Sequence, residues 1–178
     1  MTMRFLLWLS VFVIAQSDPT LAVAKAFSDG VGKYVSMLKE LEGSVPPQQP
    51  TDESSQIADR QQQLTGLIAN GRPDPRQGEI FTPEVAEQFR QIIRKAFQEP
   101  GGAAMRKTIL ESDPAKPVVL KVNDAYPDDH LRTTMPPTLL SRFPALPKEL
   151  AYRIVGRALV LQGTKTNLIV DFIPNAIP

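Results

Sequence analysis

His130 is the only histidine in the chain, and it closes the run Asp124, Ala125, Tyr126, Pro127, Asp128, Asp129, His130. Three carboxylates and an imidazole this close together could hold a divalent cation through Asp124, Asp128 and His130. The same run could do acid–base chemistry, with Asp128 or Asp129 orienting the ring of His130, as in a small hydrolase. Catalytic zinc, however, draws on two or three nitrogen or sulfur ligands. This chain offers one imidazole and no thiol. Asp and Pro also favour turns for local reasons. The run therefore reads first as a solvated turn, and no catalytic residue, metal ligand or cofactor is assigned from it.

Two further spacings touch known chemistry. Ser36 and Lys39 form a Ser-x-x-Lys pair, which sets a lysine one helical turn from a serine nucleophile. The companion Ser-Asp-Asn and Lys-Thr-Gly elements are missing, since Lys165 and Thr166 are followed by Asn167. Both residues also fall on the polar side of an amphipathic helix. Gly102 to Thr108 (GAAMRKT) has part of a phosphate loop, but the glycine before the lysine is absent and the backbone cradle is incomplete. A net charge of +1 gives no electrostatic case for nucleic acid. The few aromatic residues are not interleaved with basic ones, as stacking on a single strand would need.

The N-terminus carries the pattern of a secretory signal. Arg4 supplies the positive charge, residues 5–15 are apolar except for Ser10, and Ala22 and Ala24 provide a small-x-small site. Cleavage is expected before Lys25. The apolar run falls well short of the ~20 residues of a spanning helix, so the processed chain is expected to be soluble, with no stable membrane span. The absence of cysteine rules out a thiol-linked lipid anchor, disulfides and thiolate chemistry. The expected address is the periplasm or the exterior of a bacterium.

Any site must be positioned by the elements that follow. Phe27, Val31, Tyr34, Val35, Leu38 and Leu41 recur at three- and four-residue steps, which predicts a helix over 25–42. A second helix is expected from a cap at Thr51 or Asp52 to about residue 69, with Ile57, Leu64 and Ile68 as a narrow stripe and Gln61 on the same face. A third follows the N-cap Thr82 and Pro83, with Val85, Phe89, Ile92, Ile93, Ala96 and Phe97 facing inward. A shorter helix is expected over 103–111. Seventeen prolines, about twice the average usage, divide the chain into short elements.

The period then changes. Residues 117–122 (PVVLKV) read as a strand, 123–135 as a polar loop and 137–143 as one or two helical turns. Residues 150–161 predict a β-hairpin about a type II′ turn at Gly156 and Arg157. Its register pairs Val155 with Ala158, Ile154 with Leu159, Arg153 with Val160 and Tyr152 with Leu161. One face is then apolar, and the other carries Arg153 and Gln162. Residues 167–173 (NLIVDFI) suit a strand or a short helix equally.

The layout of this tail resembles that of uncharacterised small exported bacterial proteins, with a Pro-rich lead (Leu146, Pro147), a Tyr-x-x-Val-Gly hairpin (Tyr152 to Gly156) and a closing Ile-Val-Asp segment (Ile169, Val170, Asp171). The resemblance implies a hairpin-based module in the periplasm and carries over no catalytic residue.

The fold class expected is α+β, with three or four N-terminal amphipathic helices ahead of a small antiparallel sheet. The expected organisation is a signal over 1–24, a helical region over 25–112 and a β-hairpin region over 113–178, the last two forming one domain. The expected function is a non-enzymatic binding or interaction protein of the cell envelope, contacting another envelope protein through the 123–130 loop and the sheet edges. The alternative is the hydrolase built on His130 with Asp128 or Asp129. A third possibility, a hydrophobic ligand, would need a cavity between the third helix and the hairpin.

Overall fold

The computed structural model describes residues 19–45, 54–111, 118–127 and 135–178. Asp128, Asp129 and His130 lie outside these residues, as do most of the leader and the expected caps Thr51 and Asp52. The chain is α+β. Four helices, α1 (Pro19–Gly43), α2 (Ser54–Gly71), α3 (Pro83–Gln98) and α4 (Gly102–Glu111), precede a single turn, α5 (Pro137–Leu140). The strands β1 (Leu150–Val155), β2 (Ala158–Gly163) and β3 (Ile169–Ile173) then form an antiparallel sheet in the order β1-β2-β3. Among the described residues, no helix is long and apolar enough to cross a membrane.

The hairpin has the expected register at all four pairs. Gly156 sits at φ 56 and Arg157 is not at positive φ, as a type II′ turn requires. Residues 169–173 resolve as a strand. Their β-branched side chains suit a pleated surface, and β2 provides a ladder, with an irregularity between Leu161 and Gln162. Helix α3 begins as its sequence predicts: Pro83 is at the first turn and the Thr82 hydroxyl accepts from the Val85 N–H at 3.4 Å.

Helix and sheet share one apolar core. It draws Phe27, Val31 and Leu38 from α1, Ile68 from α2, Phe89 and Ile93 from α3, Ile109 from α4, and Leu159, Leu161 and Ile173 from the sheet. At its centre Phe89 packs against Phe143 at 4.9 Å, Phe27 at 5.2 Å and Tyr152 at 5.8 Å between ring centroids. These rings occupy the space between the third helix and the hairpin, where a hydrophobic ligand would have needed a cavity. Ala176 and Ile177 of the tail are also buried, and the Ile177 N–H bonds the Arg157 carbonyl at 3.0 Å.

Four expectations are corrected. Helix α1 already includes residues 19–24 rather than beginning at residue 25, because no breaker lies between Pro19 and Lys25. Ile57 is half exposed, because α2 buries only Leu64 and Ile68 in its C-terminal half. Residues 118–122 form no strand. Val118 and Leu120 pack on the sheet while Val119 is 91% exposed, and the turn at Asn123 (φ 67) hands the pairing to Ala125, which bridges Leu168. The second sheet face is also less polar than expected. Beside Arg153 and Gln162, a small cluster of Tyr126, Val155, Val160 and Ile169 covers it.

One carboxylate joins the layers. Asp171 is fully buried in β3. Its Oδ1 accepts from the N–H groups of Gly78 and Phe172, and its Oδ2 from those of Ile80 and Phe81, all at 2.8 Å. Four donors replace the water that burial removes. Asp171→Ala would leave these donors without their acceptor and is expected to lower unfolding free energy by about 3 kcal/mol or more. Urea denaturation checks this, and a loss below about 1 kcal/mol, the size of one ordinary hydrogen bond, would contradict it.

Candidate binding site

The two edges of the sheet differ. At β3 the outward groups are occupied. The Ile169 carbonyl accepts from the Asn123 N–H at 2.8 Å, and the Ile169 N–H donates to the Asp124 carbonyl at 2.9 Å. Arg72 Nη1 donates to the Val170 carbonyl at 3.0 Å, and Gln77 Nε2 to the Phe172 carbonyl at 3.2 Å. Two side chains and a crossing segment thus seal this edge against further strands.

At β1 the pattern is open. The two-residue turn makes Val155 and Ala158 a hydrogen-bonded pair, so the alternation turns the backbone groups of Tyr152 and Ile154 away from β2. The Tyr126 hydroxyl donates to the Ile154 carbonyl at 3.4 Å. Tyr152 N–H and C=O and Ile154 N–H have no partner among the described residues. Beside this edge runs a groove of about 420 Å³, lined by Met135, Leu140, Phe143 and Leu146 and by the β1 segment from Leu150 to Arg153. Leu140 is 45% exposed there.

The groove exists because the chain before β1 folds back onto it. Pro137 opens α5, whose Leu139 is fully buried. The Tyr152 hydroxyl then donates to the Pro144 carbonyl at 3.1 Å, and the Leu150 N–H to the Pro147 carbonyl at 3.0 Å. These contacts hold the Pro-rich segment beside the strand. Burial raises the Tyr152 phenol above its ordinary range, so at neutral pH it is a donor.

A second concave region lies over Arg72, lined also by Gly30, Lys33, Tyr34, Met37 and Glu79. The guanidinium is committed there. It pairs with Glu79, donates to Val170 and, at 3.4 Å, to Asn123 Oδ1, and stands 5.9 Å from the centre of the Tyr34 ring. Arg72 therefore ties α2 to the sheet rather than offering charge to a ligand. Among the described residues, the buried hydroxyls of Tyr34 and of the adjacent Thr166 meet no hydrogen-bond criterion. Burial pushes the Tyr34 phenol up to about 12, against the smaller downward pull of Arg72.

The other candidates from the sequence are dispersed. Asp124 is exposed, and its backbone serves the β3 pairing. Its possible co-ligands Asp128 and His130 are outside the described residues, among which no three His, Cys, Asp or Glu side chains gather. Ser36 is exposed on α1, and Lys39 lies 4.0 Å from Glu149. Gly102 is needed for packing, because a Cβ there would meet the backbone of Ala96 and Phe97 at 2.5 Å. Arg106 of the same motif donates to the Pro178 carbonyl at 2.8 Å, and Lys107 pairs with Glu111.

No family model, no curated protein and no solved structure matches this chain.

The buried phenol has a measurable consequence. Below pH 10 it is neutral both folded and unfolded, and contributes no pH dependence. Between pH 10 and about 12 the unfolded chain releases the proton first, so stability falls as pH rises. Thermal unfolding from pH 8 to 12 is expected to show this fall, and Tyr34→Phe should make it shallower while costing little at pH 7. An unchanged slope in Tyr34→Phe would contradict the assignment.

Proposed function

We propose that the chain is an exported, non-enzymatic interaction protein of the cell envelope, and that its working surface is the β1 edge with the adjoining groove. The observation that carries the reading is the asymmetry of the sheet. One edge is sealed by Arg72, Gln77 and the 123–125 segment, while the other leaves backbone donors and an acceptor beside apolar walls. Extended partners add to such edges through main-chain bonds, with side-chain pockets giving specificity.

Export is supported by the leader and by the placement of the core. Among the described residues the first buried one is Phe27, and of residues 20–24 only Val23 touches the core, partly exposed. Cleavage before Lys25 would shorten α1 yet leave every buried contact from Phe27 onward. After expression in a Gram-negative host, intact mass of the periplasmic product is expected to give a chain starting at Lys25. Full-length precursor confined to the cytosol would refute the address.

The surface is tested by placing a photoreactive amino acid at Leu140 in the groove or at Ala151 on the β1 edge strand, and at Lys95 on the solvent side of α3. Irradiation of cells is expected to give a defined adduct from the first two and none from the third. Equal labelling at all three, or none, would count against the role.

A further inference from the structure

We infer that the β1 edge accepts an extended segment in which apolar residues alternate with a carboxylate. This rests on the interaction reading above and specifies the partner's chemistry. Backbone geometry sets the first requirement. Tyr152 N–H and C=O and Ile154 N–H lie along one edge with no partner among the described residues, so they match an incoming strand rather than a compact ligand.

The two faces of β1 set the second. Leu150 and Tyr152 point into the core side, where Met135, Leu140, Phe143 and Leu146 form the groove wall. An added strand places alternate side chains over that wall, and these must be apolar. Ala151 and Arg153 lie on the opposite face. Arg153 Nε donates to Gln162 Oε1 at 2.8 Å, and Gln162 Nε2 donates in turn to Asn167 Oδ1 at 2.5 Å. This chain of bonds commits the Arg153 Nε toward β2 and leaves the two terminal nitrogens without a bond among the described residues. No carboxylate lines the groove, and Arg153 pairs with none among the described residues. The neighbour that a guanidinium in this position favours is a carboxylate at the alternate position of the added strand, directly opposite or diagonal.

Arg76 pairs with Asp74, Arg94 with Glu87 and Arg142 with Glu99, whereas Arg153, like Arg106, pairs with no Asp or Glu carboxylate among the described residues, and its Nε is held by an amide.

Two synthetic peptides test the inference on the purified chain. Both alternate valine with polar residues over six positions, and one central polar residue is glutamate in the first peptide and lysine in the second. Amide spectra are expected to shift along β1 and at Leu140, and the Tyr152 and Ile154 amides should gain protection from exchange. The glutamate peptide should bind about tenfold more tightly than the lysine one, the scale of one charge-assisted contact. Arg153→Glu should reverse that order, and Arg153→Gln should erase it, with unfolding curves confirming that both variants fold. Equal binding of the two peptides, shifts that map elsewhere, or self-association of the chain through β1 would each overturn the proposal. Groove crosslinks in cells without any peptide preference would leave the interaction role standing and overturn this partner chemistry alone. Absence of both would overturn the two together.

Discussion

The Asp171 carboxylate is the interaction on which the arrangement depends. A carboxylate in an apolar strand is costly unless its oxygens are fully hydrogen bonded. Here four backbone N–H groups meet that need, three of them from the loop that leads into α3. The bond set runs from β3 to residues 78–81, so it fixes both the entry of α3 and the rim of the sheet. Arg72 works beside it, joining the C-terminal end of α2 to the Val170 carbonyl and to Asn123. Each side chain converts a polar cost into a long-range constraint.

The same constraint produces the asymmetry of the surface. Once the loop over 72–82 is held against β3, its side chains and the 123–125 segment use up that edge. The β1 edge has no such cover among the described residues, because the segment before it bonds through Pro144 and Pro147 and not along the strand. Proline lacks an N–H and so is a poor partner for a ladder. What results is an apolar trough with polar backbone along one side, a surface suited to an extended partner.

The legible parts of the sequence were those where two local signals agreed. The hairpin register followed from the Gly156 turn together with the apolar face of Tyr152, Ile154, Leu159 and Leu161. The start of α3 followed from Thr82 and Pro83 together. The segment 118–122 failed because β-branched content does not supply a neighbouring strand, and Asn123 passed the pairing on to Ala125. Ile57 failed because an apolar stripe does not say how far the core extends. Asp171 was visible as a lone acid in NLIVDFI, but three of its four partners lie about ninety residues away and no local pattern names them. The sequence pointed to sheet edges as the expected contact surface. Which edge, and the groove beside it, depended on how residues 135–147 fold back. Arg72 gave no sign in the sequence of its role as a hub, since it sits in an ordinary Arg-Pro-Asp-Pro loop.

Hydrogen exchange of the free protein, followed amide by amide, tests most directly whether one edge is sealed and the other open. The amides of Gly78, Ile80, Phe81 and Ile169 should exchange slowly, through large-scale opening, while those of Tyr152 and Ile154 exchange orders of magnitude faster from within the same sheet. Equally slow exchange at Tyr152 and Ile154 would mean that the β1 edge is already occupied, and would contradict the account.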